Sequence, residues 1–202
     1  MAADFVLASG SPRRRELLLA AGFRFDVLPA DTDEIVDPVE SPLVTTVRLA
    51  CEKALAVCAR VGTSTVVLAA DTTVVSRGRI YGKPADTAAA ATMLRELGGR
   101  NHRVLTAWVV AGGGEDAHNV AITGFSASVV RLRDMSEAEA RAYAAGGEPL
   151  DKAGSYAVQG EGARFVSAVT GPVDNVIGLP VAPVAAALGR MGIRPHGAPD
   201  GR

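Results

Sequence analysis

Hydrophobic residues recur along this chain at two different spacings, which predict alternating strands and helices. Short apolar runs at 5–8, 23–28 and 66–70 are typical of strands, and the third run is of the fully buried type. Between these runs the apolar residues return every three or four positions, which predicts amphipathic helices. An alternation of this kind favours a mixed α/β fold.

Two helices can be placed by their start signals. Ser11-Pro12 and Ser41-Pro42 each put a capping serine before a proline at the first helical turn. The first helix is predicted to bury Leu17 and Leu18 and to end near Gly22. The second is long, and Lys53 is expected at the margin of its apolar face. That face is predicted to contain Val47, Ala50, Cys51, Ala54, Leu55 and Cys58.

The remainder of the chain follows the same alternation. Residues 73–75 continue extended, Arg77-Gly78 predicts a hairpin turn, and Asp86 or Thr87 caps a helix that ends at Gly98-Gly99. Ser136 with Glu139 is a capping box that opens a further helix. Other strands are predicted at 103–111, 119–132 and 165–169, and a last helix at 180–190. We predict one α/β domain of two lobes over residues 1–194 and a disordered tail over 195–202.

Composition and charge narrow the class of protein. The chain has 202 residues, 48% of them hydrophobic, and a formal net charge of −1. No overall basic field draws it to nucleic acid, although a small anion can still bind locally. No signal peptide is evident at 1–4 and no apolar run approaches the roughly 20 residues that span a bilayer, so we expect a cytoplasmic protein. Cys51 and Cys58 lie too far apart along one helix for a disulfide and are predicted to be buried thiols.

The loop before the first helix carries phosphate-binding groups. We call residues 9–14, Ser-Gly-Ser-Pro-Arg-Arg, the phosphate loop. A helix N-terminus offers unpaired N–H groups, Ser9 and Ser11 add hydroxyls, and Arg13 and Arg14 add guanidinium donors. A capped surface helix with solvated arginines has the same residues, so the loop alone leaves both interpretations open.

Two acidic positions suggest a metal site. Asp71 directly follows a buried strand, where α/β sheets place ligand-handling groups, and Glu34 lies in the acidic segment 30–34. Together their oxygens could hold Mg²⁺ or Mn²⁺ that also touches substrate phosphates. Each residue taken alone is equally compatible with a solvated carboxylate.

Lysines and a glycine-rich segment complete the candidate site. Lys53, Lys83 and Lys152 are ordinary surface residues by type, but Gly82 and Pro84 fix the backbone around Lys83. The segment 146–162, which includes Gln159, is rich in turn formers and is a candidate binding loop.

Several familiar motifs are absent from the sequence. It contains neither a Walker A sequence nor a dinucleotide fingerprint, and no Gly-x-Ser-x-Gly elbow. The three histidines show no zinc-ligand spacing, and His102 is predicted to be a structural hydrogen-bonding residue.

Taken together, the motifs resemble the Maf family of nucleoside triphosphate pyrophosphatases over about residues 4 to 190. The matching segments lie in collinear order, and each is weak alone. They are the segments at 7–18, 33–34, 48–54, 70–72, 82–84, 99–106, 148–160 and 175–180.

The resemblance implies a fold, a reaction and roles for residues. The fold would be an elongated, twisted mixed sheet flanked by helices, with two lobes around a nucleotide-binding cleft. The reaction would release pyrophosphate and a nucleoside monophosphate with a divalent cation, Mg²⁺ or Mn²⁺. Asp71 would accept a proton or bind the metal with Glu34 nearby, and water would attack the α-phosphorus. The phosphates would be held by Ser9, Arg14, Lys53 and Lys83.

The resemblance also bears on the substrate. Arg13, Thr72 and Gln159 match the branch that acts on dTTP and UTP, whereas the branch that acts on 7-methyl-GTP tends to carry an aromatic residue, Gln and Glu there. An amide suits the O4 and N3–H edge of thymine or uracil. The alternatives are 7-methyl-GTP hydrolysis and a nucleotide-binding regulator of septum formation with residual hydrolysis. A homodimer is plausible for the fold, and no membrane or nucleic-acid partner is expected.

Overall fold

A computed structural model describes residues 3–62, 64–112 and 121–196. Its strands are β1 (Phe5–Leu7), β2 (Phe25–Val27), β3 (Val67–Ser76), β4 (Arg79–Tyr81), β5 (Asn101–Ala111), β6 (Ala121–Leu132) and β7 (Val166–Thr170). Its α-helices are α1 (Pro12–Ala20), α2 (Pro42–Val61), α3 (Thr87–Leu97), α4 (Glu137–Ala145), α5 (Val173–Ile177) and α6 (Val181–Arg190). Three short 3-10 helices lie between α4 and β7, at Glu148–Asp151, Ala153–Ser155 and Gly160–Phe165.

The strands form one mixed seven-stranded sheet. The order is β2-β1-β3-β5-β6-β7, and β4 pairs with β3 off this path. β1 runs parallel to both β2 and β3, with Leu7 opposite Leu68 of β3. β4 and β7 are antiparallel to β3 and β6, respectively. The predicted mixed α/β class is therefore confirmed, with helices flanking the sheet.

The chain divides into two compact units. The first unit contains Met1–Asp71, Ala107–Phe125 and Gly178–Arg202, and the second contains Thr72–Thr106 and Ser126–Ile177. Strands β3, β5 and β6 each contain residues of both units. The first unit has two hydrophobic cores and the second unit has one.

In the first unit the sheet is covered on both faces. Successive side chains of a strand point to opposite faces, and β1 follows this rule. Phe5 and Leu7 pack in one core with residues of α1 and α6, whereas Val6 and Ala8 pack in another with residues of α2. The unbroken apolar run at 66–70 has the same cause, because both of its faces are buried.

In the second unit one core joins helices α3 and α4 to the strands. Leu94 and Leu97 of α3 pack with Tyr143 of α4, Leu132 of β6 and Phe165. The connection from β3 to β4 turns at Arg77 and Gly78, whose φ angles of 52° and 78° are the paired positive values of a two-residue hairpin turn. The predicted hairpin turn is confirmed.

The start signals of the helices are confirmed in detail. Ser11, Ser41 and Asp86 are the capping residues of α1, α2 and α3, and each side chain accepts a hydrogen bond from a backbone N–H. Ser136 and Glu139 form the predicted capping box at α4. Strand β2 is shorter than predicted, and the helix α5 has no counterpart among the predictions.

The predicted apolar face of α2 is confirmed except at Leu55, whose side chain is exposed. Ala50 and Ala54 lie in the core, and Val47, Cys51 and Cys58 pack against it. The buried face also includes Leu49, Lys53 and Val57. Lys53 belongs to the buried face because two carboxylates surround its ammonium group. The prediction had placed Lys53 only at the margin of this face. Cys51 and Cys58 are free and only half-buried.

At the C-terminal end of the described residues, the backbone N–H of His196 donates to the carbonyl of Gly22 at 2.8 Å. The predicted disordered tail extends to 202, and 197–202 lie outside the described residues, as does the predicted strand start at 119–120. None of the described helices is long and apolar enough to cross a membrane.

Candidate active site

The phosphate loop is held by hydrogen bonds within the first unit. It connects the end of β1 to α1 and includes the first residues of that helix. The Ser9 hydroxyl oxygen accepts from the Ser11 N–H at 3.2 Å and from Arg14 Nη1 at 3.1 Å. Because the Ser9 oxygen already accepts two hydrogen bonds, the Ser9 hydroxyl can use its hydrogen to donate to a phosphate oxygen.

Arg14 is a buried cation, with 9% of its surface exposed. Its Nε donates to the carbonyl of Gly178 at 2.8 Å, which fixes the guanidinium plane. Burial lowers the pKa of Arg14, and the negative charges of Asp71 and Glu34 oppose this effect. The neighbouring charge of Arg13 also lowers this pKa. The charges of both carboxylates that are predicted to bind a metal therefore act on Arg14.

Lys53 joins those two carboxylates. Its Nζ donates to Asp71 Oδ1 at 2.6 Å and to Glu34 Oε1 at 2.7 Å. The side chains of Lys53 and Asp71 are 10% and 8% exposed, whereas that of Glu34 is 45% exposed. The cluster thus has a buried end at Asp71 and a water-accessible end at Glu34. We call these three residues the carboxylate–lysine cluster.

Three different elements build this cluster. Asp71 lies in β3, Lys53 in the middle of α2, and Glu34 in the segment between β2 and α2 that has no regular secondary structure. The cluster therefore depends on packing α2 against the sheet, which the core around Ala50, Ala54 and Val57 provides.

Arg48 fixes the segment that carries Glu34, and sequence reasoning assigned it no role. Its Nη2 donates to the carbonyl of Ile35 at 2.9 Å, and its Nε donates to Glu40 at 2.8 Å. The hydrogen bonds to Glu40 and then to Glu52 raise the pKa of Arg48. The spacing of Arg48 and Glu52, four apart on a helix, was the available signal, but it pointed only to a surface ion pair.

The donor set suits a hard divalent cation that is shared with a substrate. Asp71 and Glu34 supply carboxylate oxygens that a single ammonium group already brings together. Among the described residues no group of three or more His, Cys, Asp or Glu side chains could hold a metal. Mg²⁺ commonly binds through one or two carboxylates plus substrate phosphates, and the cluster fits that pattern.

In the second unit Thr72 belongs to a chain of hydroxyl groups. Its Oγ1 lies 3.0 Å from Thr106 Oγ1, which in turn donates to the carbonyl of Asn175 at 2.9 Å. Thr106 and Asn175 are fully buried. Sequence reasoning singled out Thr72 but gave no role to Thr106 or Asn175, whose types carry no chemical signal of their own.

Of the other predicted residues of the second unit, Lys83 and Gln159 are exposed and Lys152 is half-buried. Lys83 follows β4, and the carbonyl of the adjacent Gly82 accepts from the Gly154 N–H at 3.1 Å. Gln159 directly precedes the third 3-10 helix. The ammonium group of Lys152 donates hydrogen bonds to the carboxylate of its neighbour Asp151 and to the carbonyl of Glu148.

His102 is structural, as predicted. Its Nε2 lies 2.7 Å from the hydroxyl of Tyr156, and the two rings meet edge to face in the second unit. Burial lowers the pKa of His102 to about 4, so the imidazole is neutral at physiological pH.

The fold and the site define a class: a mixed α/β protein with a partly buried carboxylate–lysine cluster in the same unit as a phosphate loop. The chain belongs to the Maf-like protein family, whose model matches residues 4–191.

Several curated relatives cover nearly the whole chain. A protein of Anaeromyxobacter dehalogenans (strain 2CP-C) is 50% identical over 95% of this chain and 96% of its own length. Proteins of Hahella chejuensis and Vibrio cholerae are 45% and 44% identical, over 94% and 87% of this chain and 92% and 91% of their own lengths. All three relatives are named dTTP/UTP pyrophosphatase.

Solved structures are more distant. The Staphylococcus aureus Ham1 protein is 16% identical with a TM-score of 0.44, over 80% of this chain and 79% of that chain. A dITP/XTP pyrophosphatase from Mycobacterium abscessus is 12% identical with a TM-score of 0.39, over 93% of this chain and 94% of that chain.

Proposed function

We propose that this protein is a nucleoside triphosphate pyrophosphatase that hydrolyses dTTP and UTP to the monophosphate and pyrophosphate. The observation that carries the proposal is the contact of Lys53 with both Asp71 and Glu34, in the unit that also holds the phosphate loop. A site of this kind combines cationic groups for phosphates with carboxylates for a cation and a water molecule. The names of the curated relatives support the same reaction.

The phosphates of the substrate would bind to groups that are already oriented. Ser9 would donate its hydroxyl hydrogen, and Arg14, fixed by Gly178, would supply guanidinium N–H groups. Lys53 and Lys83 would offset the negative charge that grows on phosphate oxygens in the transition state. Little reorganisation of Ser9 and Arg14 is then needed when the substrate arrives.

Asp71 would be the residue that acts on water. Its buried carboxylate would orient the water that attacks the α-phosphorus and accept its proton, and pyrophosphate would leave as the P–O bond breaks. Asp71 and Glu34 would also hold Mg²⁺ or Mn²⁺, which when bound supplies Lewis-acid stabilisation of phosphate charge. Lys53 keeps the two carboxylates together before the substrate binds.

The choice of base rests on Arg13, Thr72 and Gln159. The Gln159 amide offers a donor and an acceptor, which match O4 and N3–H of thymine and uracil. A cationic 7-methylguanine would instead favour an acidic residue at this position. The residues present therefore support dTTP and UTP over 7-methyl-GTP.

A panel of nucleoside triphosphates, assayed for pyrophosphate release with Mg²⁺ and with Mn²⁺, tests the proposed function. We expect kcat/KM for dTTP and UTP to exceed that for 7-methyl-GTP and for the purine triphosphates. A preference for 7-methyl-GTP would refute the substrate assignment, and release of inorganic phosphate instead of pyrophosphate would refute the reaction.

The variant Asp71→Asn tests the role of the carboxylate. We expect a loss of turnover of at least about 100-fold, because the amide cannot accept the proton from water. Binding of a non-hydrolysable dTTP analogue, measured by calorimetry, should persist. Asp26→Asn is the matched control, because it removes an exposed carboxylate of the same unit. Near-normal turnover of Asp71→Asn would remove Asp71 from the mechanism.

A further inference from the structure

The 3-10 helix Gly160–Phe165 begins with two glycines in its first three residues, Gly160 and Gly162. Gln159 occupies the capping position directly before it. Gly160 has a φ of 67°, in the left-handed region that favours glycine. Glycine loses more conformational freedom on folding than any other residue, so a fixed conformation here needs contacts from another part of the chain.

Glu148 and Tyr143 supply these contacts. Oε2 of Glu148 accepts a hydrogen bond from the backbone N–H of Gly162 at 2.9 Å. A Cβ atom at Gly160 would collide with Oε1 of the same carboxylate, so Glu148 lies directly against the backbone of Gly160. A Cβ atom at Gly162 would collide with the hydroxyl of Tyr143. Glycine is therefore required at both positions by the side chains that pack on them.

The far end of this helix is held independently of Glu148. Phe165, its last residue, is fully buried, and its ring centroid lies 5.1 Å from that of Tyr143 in the core of the second unit. The carbonyl of Phe165 also accepts from the backbone N–H of Arg133 at 2.8 Å. Loss of the Glu148 carboxylate should therefore release the residues next to Gln159 and leave the end at Phe165 in place.

We propose that Glu148 is a positioning residue that orders Gln159 for its contact with the base of the nucleotide. The inference rests on the proposed function, in which the Gln159 amide contacts that base. An amide that is ordered in advance loses less conformational entropy when the nucleotide binds. The hydrolytic groups of Asp71 and Lys53 belong to the first unit, whereas Glu148 and Gln159 belong to the second. Glu148 should therefore affect nucleotide binding more than the chemical step.

The variant Glu148→Ala tests the proposal. We expect KM for dTTP and UTP to rise about tenfold and kcat to stay within about twofold of wild type. Inorganic tripolyphosphate has phosphates but no base, so its inhibition constant as a competitive inhibitor should not change. Glu148→Gln keeps an oxygen that can accept from Gly162 and should keep most of the wild-type affinity. Equal increases in KM and in the inhibition constant would indicate a general structural role and would overturn the proposal.

A double variant shows whether Glu148 acts through Gln159. Gln159→Ala removes the amide, so adding Glu148→Ala to it should not raise KM further. A further increase as large as that in the wild-type background would show that the two residues act independently, and it would overturn the proposal. Glu161→Ala is the matched control, because it removes an exposed carboxylate of the same 3-10 helix, and it should keep the wild-type KM.

The remaining outcomes are also decisive. If Glu148→Ala does not fold, Gly160→Ala replaces it: its methyl group displaces the carboxylate, so KM should rise with an unchanged inhibition constant, and an unchanged KM overturns the proposal. If the wild-type protein releases pyrophosphate from UTP but Glu148→Ala has the same KM, the inference alone fails. If the wild-type protein releases pyrophosphate from no triphosphate, the proposed function fails and the inference fails with it.

Discussion

The imidazole of His102 is buried in the second unit and stays neutral down to a pH of about 4, the value to which burial lowers its pKa. In the unfolded chain a histidine has a pKa of about 6.5. Between these two pH values the unfolded state binds a proton that the folded state does not bind. The free energy of unfolding therefore falls as the pH is lowered from 6.5 to 4, by at most about 3 kcal/mol from this residue.

The variant His102→Gln should remove this part of the pH dependence. Urea unfolding at pH 7 and at pH 4 measures the difference for each protein, and the difference should be smaller in the variant. His196→Gln, which replaces an exposed histidine paired with Asp4, should keep most of the wild-type difference. Equal differences in wild type and His102→Gln would contradict the assigned cause.

The burial of a single residue was hardest to predict where its type is normally exposed. Lysine is normally exposed, so the sequence indicated a surface position for Lys53. Its burial depends on Glu34 and Asp71, which lie 19 and 18 positions away along the chain. Local spacing carries no information on such a contact. Only the resemblance to a family pointed to Lys53, and it gave no geometry.

At the level of elements, Gly124 of β6 lets the ring of Trp108 pack against the strand. A Cβ atom at this position would lie 2.4 Å from Trp108 Cζ2 and 2.8 Å from Cε2, which no side chain tolerates. Gly124→Ala should therefore displace the ring and lower the free energy of unfolding by about 1 to 3 kcal/mol. Denaturant unfolding followed by Trp108 fluorescence reports both the stability and the ring environment.

Gly189→Ala is the control for this substitution. Gly189 lies in helix α6, and a Cβ atom there would meet no atom within 4 Å. Alanine should raise stability by about 0.5 to 1 kcal/mol, because it restricts the unfolded chain and favours helix. If Gly124→Ala were as stable as wild type, the close packing of Gly124 and Trp108 would be refuted.

Element boundaries were predictable where a local rule sets them. The capping residues Ser11, Ser41 and Ser136 act through hydrogen bonds to residues three positions away, so the sequence contains the whole signal. Helix α5 has five residues and no side-chain cap pattern, and the prediction missed it. The buried face of α2 was predictable from its apolar spacing, but the burial of Lys53 was not, because the partners of Lys53 are distant in sequence.

At the level of the whole molecule, the first unit is assembled from both ends of the chain. Leu179, Val184 and Leu188 pack in the same core as Phe5, Leu7 and Trp108. The parallel pairing of β1 with β3 also joins residues more than 60 positions apart. Non-local pairings of this kind decided the strand order, which is why the sequence predicted the α/β class but not the order of the sheet.

A fragment that ends at Ile177 should therefore lose the core that contains Phe5, Leu7 and Trp108. It lacks the residues from Gly178 onward that close this core, including Leu179, Val184 and Leu188. Trp108, the single tryptophan, is 6% exposed in the full chain and reports on this core. We expect its fluorescence maximum to move to longer wavelength in the fragment. An emission spectrum equal to that of the full chain would show that the core forms without these residues.

The bond from Arg14 to the carbonyl of Gly178 also has a consequence for the time at which activity appears. The two residues are 164 positions apart, so a ribosome has made nearly nine tenths of the chain before the carbonyl exists. The residues of the phosphate loop are made early, but the bond from Arg14 to Gly178 forms only after most of the chain has been made. During most of its synthesis the chain therefore lacks the bond that orients the Arg14 guanidinium, and a fragment that ends before residue 178 cannot form it.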